Sequence, residues 1–158
     1  MFVYTTPLAA LFFLLCQYNC LGLYTGEQAV TSKEEAQAIQ QVVQDAVEYH
    51  DWVSEPGYRE KLGRMYDGEL LNNIIDSVEQ FKSVSTDWHY LTFIRKCHIV
   101  YNNGNTAVVT ALLEETNYAG DCAGRGIGTF YLHKTNQSWR IIGMDITWLD
   151  NNENTKHN

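Results

Sequence analysis

The residues able to do chemistry in this 158-residue chain are scattered along it. The 5 histidines, His50, His89, His98, His133 and His157, form no His-x-x-x-His pair, and the 4 cysteines form no Cys-x-x-Cys. The spacings that a zinc site uses are therefore missing. Cys97 and His98 are adjacent, and neighbours on a strand point to opposite faces, which bars a nucleophile–base pair. No serine stands in a recognisable nucleophile turn. Gly124-Arg-Gly-Ile-Gly128 has the glycine density of a phosphate loop but leads into a strand. Without a helix N-terminus behind it, the anion site is not built. It reads as a flexible loop and sheet bend, with Arg125 near the mouth of a concavity. Neither a metal, a cofactor nor a covalent intermediate is implied.

Asp145 is the carboxylate that fits a chemical role. It follows the small Gly143 on the face that alternation makes concave, with Trp88, Tyr90 and Trp148 as apolar walls. Burial beside such walls raises a carboxyl pKa and suits a general base. The structural alternative is a strand-end Asp bonded to a neighbouring amide or to Arg140. Glu115 stands at the edge of the same face. The binding candidates are thus Trp88, Tyr90, Glu115, Arg125, Asp145 and Trp148, because clefts are largely apolar with few polar groups.

These positions depend on the elements that carry them. Thr31/Glu34 or Ser32/Glu35 can open a first helix as a capping box, and Ala36, Ile39, Val43, Ala46, Val47 and His50 follow as one buried stripe. Pro56-Gly57 ends it. A short helix through Tyr58, Leu62 and Met65 and a third through Leu70, Ile74, Val78 and Phe81 complete the helical half. From Trp88 the chain turns aromatic and β-branched. Asn102-Asn103-Gly104-Asn105 and Thr135-Asn136-Gln137 mark two hairpins, and 117–125 reads as an exposed loop between them. Helices followed by a four-stranded antiparallel meander imply an α+β fold, the helices packed on one face of a curved sheet.

Pairing 101 with 106 and 134 with 139 assigns the faces in the absence of bulges. Ala107, Val109, Ala111, Leu113 and Glu115 then share the concave face with Val100, His98, Ile94, Thr92, Tyr90 and Trp88. Phe130, Leu132, Trp139 and Ile141 share it with Gly128, Gly143 and Asp145. The small residues Ala107, Ala111, Gly128 and Gly143 are expected to leave room there.

Composition bounds the partners. Lys+Arg total 11 against 19 Asp+Glu, a net charge of −8, with no basic cluster, so nucleic acid and anionic membrane surfaces are disfavoured. Pro7 to Cys16 is an apolar run with no charge before Glu27. It is too short to span a bilayer but suits a signal peptide cleaved after Gly22. The expected organisation is a signal peptide at 1–22, one domain at 33–150 and a flexible tail at 151–158. The compartment is secreted or extracytoplasmic, with no membrane span after cleavage. Asn136-Gln137-Ser138 is a glycosylation sequon in a turn. Cys97 and Cys122 are expected to remain unbridged to each other.

Met65-Tyr-Asp-Gly-Glu-Leu-Leu71, Trp88-His-Tyr90, Asn105-Thr-Ala-Val-Val-Thr-Ala-Leu-Leu-Glu-Glu115 and Ser138-Trp-Arg-Ile141 resemble the nuclear-transport-factor-2-like superfamily. The resemblance spans about Glu34 to Trp148 and is strongest toward the intermembrane-space domain of plastid-division proteins. It implies a cone of helices closed by a curved sheet. The superfamily hosts isomerases, dehydratases and cyclases beside non-catalytic binding modules, so fold alone does not assign an activity. The plastid-division likeness implies a protein-binding module, here as a free-standing secreted relative. The expected function is non-catalytic recognition of a protein or peptide partner, with a homodimer through the outer sheet face as a further expectation. The alternative is a small hydrophobic ligand, or proton transfer by Asp145, in the cone.

Overall fold

The computed structural model describes residues 31–84 and 90–149. The leader expected at 1–22, Trp88 and the tail expected at 151–158 lie outside the described residues. Helix α1 (Lys33–Glu48) starts at Ser32, whose hydroxyl accepts the Glu35 N–H at 3.1 Å. Only this half of a capping box forms, because the Glu35 carboxylate pairs with Lys134 at 2.8 Å instead of turning back. α1 buries Ile39, Val43, Ala46 and Val47 at helical spacing. A 3-10 turn (Asp51–Val53) leads to α2 (Tyr58–Met65). Asp67 then caps α3 (Gly68–Lys82), accepting the Gly68 N–H at 2.8 Å.

Strands β1 (Tyr90–Asn102), β2 (Thr106–Asn117), β3 (Cys122–Thr135) and β4 (Ser138–Leu149) form an antiparallel meander in sequence order. The helices pack on one face of this sheet, as the order of elements predicts. β3 begins at Cys122, so the connection expected over 117–125 shrinks to a short turn. The Gly124–Gly128 run is strand, not loop. Beneath the helices, Val109, Leu113, Phe130, Leu132 and Ile141 are at most 1% exposed and form the centre of the core.

Three bulges correct the expected faces. In β1 the register shifts between Ile94 and Lys96 and again between Ile99 and Tyr101. Between these shifts the strand is out of phase by one residue, so Cys97 pairs with Ala111 and Ile99 with Val109 on the concave side. His98 and Val100, expected to face inward, are exposed on the outer face. In β4 a shift between Ile141 and Gly143 turns Met144, Ile146 and Trp148 inward and Gly143 and Asp145 outward. Each extra residue also sharpens the local twist, which curls the sheet around the helices.

At Gly128 the expected room is filled. A methyl group at Gly128 would come within 2.8 Å of the Phe130 ring, which already occupies that space. Gly143 lies on the other face, against Tyr131. Helix side chains also cover the edge of β1. Gln40 Nε2 donates to the Cys97 carbonyl (3.2 Å), while Glu48 accepts the Ile94 N–H (3.0 Å) and His50 the Thr92 N–H (3.1 Å). Such cover blocks strand addition there. On the far edge, the Asp67 N–H donates to the Ile141 carbonyl at 3.0 Å. Cys97 and Cys122 are free thiols. Their β2 partners, Ala111 and Thr116, put them about 16 Å apart along the sheet.

Candidate binding site at the end of the concave face

The concave face is polar at the end where β1 begins and β4 finishes. Glu115 and Thr92 are direct cross-strand partners there, 6% and 1% exposed. Opposed Cβ atoms of an antiparallel pair stand about 4.5–5.5 Å apart, so one small group can touch both side chains. Neither Glu115 Oε1 nor Thr92 Oγ1 has a hydrogen-bond partner among the described residues. Burial pushes the Glu115 carboxyl pKa up, because desolvation disfavours the charged form.

The floor beside this pair is Gly124, the β3 partner of Glu115. A Cβ there would lie 3.7 Å from Glu115 Oε2, an ordinary contact, so among the described residues the carboxylate shapes the space above Gly124. One step along, Trp148 pairs with Gly126 and lays its benzo edge on it; an added methyl would come within 2.8 Å of Cε3. The edge carrying Nε1 is thereby turned away from β3. Nε1 is buried and also lacks a partner among the described residues. Tyr90, Gly124 and Trp148 are partly exposed and form the rim.

His50 supports the site from behind. Its Nε2 accepts the Thr92 N–H at 3.1 Å, which holds Thr92 in register and leaves the proton on Nδ1. Burial lowers the His50 pKa, with the nearby Glu48 and Asp51 charges acting the other way. The edge of the ring also meets Phe93, with centroids 5.7 Å apart.

The structure unites Tyr90, Glu115 and Trp148 and separates two other candidates from them. Asp145 faces outward, opposite Thr129, and is exposed, because the β4 bulge shifts it to the other face. Arg125 also lies on the outer face. Its Nε approaches Glu114 Oε2 at 3.4 Å, while Arg95 Nη2 donates to Oε1 of the same carboxylate at 2.5 Å. Trp88 lies outside the described residues. Asn136 is exposed at the β3–β4 turn with φ 49°. Sequence reasoning passed over Thr92, although the hairpin register puts it opposite Glu115. It also passed over Gly124, whose signal was the lack of a side chain facing a carboxylate. Among the described residues no three of His, Cys, Asp or Glu gather as metal ligands.

Helices over one face of a curled four-stranded antiparallel meander make an α+β fold similar to the cystatin-like fold. Among solved structures, a protein of unknown function with a cystatin-like fold from Nostoc punctiforme matches at 12% identity. The match covers 77% of this chain and 96% of that one, with a TM-score of 0.57. The calmodulin-dependent kinase II hub homology domain of Chlamydomonas reinhardtii matches at 15% identity over 73% of this chain and 98% of its own, TM-score 0.52. The intermembrane space region of the chloroplast protein ARC6 aligns at 18% identity, covering 75% and 98%, with a TM-score of 0.49. No family model and no curated protein matches the sequence. Identities this low carry the fold across and leave the activity to the site.

Proposed function

We propose that the chain is a non-catalytic binding module that receives part of a protein or peptide partner at the Glu115 end of its concave face. One observation carries this reading. Glu115 Oε1 and Thr92 Oγ1 are buried, unpartnered among the described residues and directly opposed beside the open Gly124 floor. Buried polar groups are ordinarily hydrogen-bonded, and leaving one bare costs about 1–3 kcal/mol. A pair of them at one rim is accounted for by a ligand that completes them. The middle of the cone is packed by Phe130 and Trp148 over Gly128 and Gly126, which leaves little space for a wholly enclosed hydrophobic ligand. Proton transfer by Asp145 is disfavoured by that side chain's outward direction. The reading includes the secretory route, Asn136 as a glycan acceptor, and self-association through the outer face, where Val100, Ile127, Ile142 and Leu149 are 42–48% exposed.

The test fills the floor. Peptides selected from a displayed random library against the wild-type chain are titrated against Gly124→Val, with circular dichroism confirming the fold. Binding to the variant is expected to fall at least tenfold. Selected peptides that bind Gly124→Val as tightly as wild type would place recognition elsewhere.

A further inference from the structure

We infer that the ligand group seated at this rim is an organic cation, a primary ammonium or guanidinium held between Glu115 and Thr92 above Gly124; this rests on the binding-module reading above. The argument begins with donors and acceptors. A carboxylate only accepts, and the Thr92 hydroxyl opposite it offers two lone pairs and a single proton. The two side chains are not bonded to each other, since each is unpartnered among the described residues. An ammonium carries three donors and no acceptor, and a guanidinium carries five. Either can satisfy both oxygens at once. A neutral apolar group would leave both bare, and an anion would meet a buried carboxylate.

Four of the chain's own cations are committed elsewhere. Arg125 and Arg95 hold Glu114 on the opposite face, Lys134 pairs with Glu35, and Arg140 approaches Asp67. None of the ion pairs seen among the described residues includes Glu115. A buried carboxylate without a counter-ion is costly, and a charged ligand that enters with its own donors removes that cost. The net charge of −8 draws cations to the surface as a whole. The Trp148 indole at the rim gives an aromatic surface of the kind on which organic cations rest.

The experiment uses the intact chain and matched pairs of probes, followed by calorimetry at pH 7 in 150 mM salt. Phenethylamine is set against 2-phenylethanol, and the peptide acetyl-Gly-Lys-Gly-amide against the same peptide with its lysine side chain acetylated. At least one amine is expected to bind at least tenfold more tightly than its neutral twin. Glu115→Gln is expected to abolish that preference and Thr92→Val to reduce it severalfold. Preference confined to phenethylamine identifies a free amine as the source, and preference confined to the lysine peptide identifies a protein side chain. Neutral twins that bind as tightly, an amine preference that survives Glu115→Gln, or no binding by any probe would overturn the cation assignment. If library peptides still require the Gly124 space in any of those cases, the binding module stands and only the cation fails.

Discussion

Trp139→Ala is expected to lower the unfolding free energy by about 3–5 kcal/mol, much of the stability of a domain this size. Trp139 is 3% exposed at the start of β4, and Lys134 reaches over its ring with Nζ 5.5 Å from the centroid. Lys134 is tied in turn to Glu35 of α1. Removing the indole therefore opens a cavity and loosens the tie between the sheet and the first turn of α1. Chemical denaturation should show the midpoint falling sharply. Asp145→Asn supplies the control. On an exposed outer position with no core contact, it should change stability by less than about 0.5 kcal/mol. An equal loss from both variants would mean that the β4 bulge is misplaced and Asp145 is buried.

Glu115→Gln is expected to act in the opposite direction at neutral pH, raising stability by about 1 kcal/mol while weakening binding. The sign follows from linkage. Burial raises the folded-state pKa of Glu115 above its ordinary value of 4.5. Between those two values the folded protein holds more protons than the unfolded chain, so stability declines as pH rises through that window. Below about pH 4 the carboxyl is protonated in both states and the gain from glutamine should vanish. His50, lowered by burial, weakens the fold on acidification in both proteins, so it cancels in the difference. Urea midpoints of the two proteins across pH 4 to 8 make the comparison. A glutamine variant less stable than wild type at pH 7 would show that the carboxylate has a stabilising partner.

The two halves of the chain were not equally legible. Apolar spacing located the three helices of the described residues, because burial of one helix face is written directly in residue order, and it left the first cap open between Thr31 and Ser32. The hairpins were equally plain at Asn103-Gly104 and Asn136-Gln137. Faces were harder. Alternation predicts the side of every strand residue only while pairing is regular, and a bulge carries no strong residue signature. Thr92, Ile94 and Glu115 lie on the predicted side because the phase near β1's start matches simple counting. His98, Val100, Gly143 and Asp145 lie beyond bulges and reverse. The same slip removed the expected catalytic carboxylate and left Glu115 in its place. Arg125 followed a second cause. Reading Gly124–Gly128 as a loop left its direction open, whereas strand geometry fixes it opposite to the two glycines beside it.

The β4 bulge lets that strand absorb a change of length as well as of composition. Ile142 is 42% exposed, and many side chains can replace it at little energetic cost. Its deletion is tolerated for a geometric reason. Ile141 already pairs with Leu132 and Gly143 with Tyr131, so losing the extra residue closes the bulge and leaves Met144, Ile146 and Trp148 on the concave face and Asp145 and Thr147 on the outer one. The bulge thus acts as a slack link, from which one residue can be lost without changing the side of any that follow. Chains that share this fold but differ in strand length are accordingly compared by the face each residue occupies, with the bulge as the point where the count is reset.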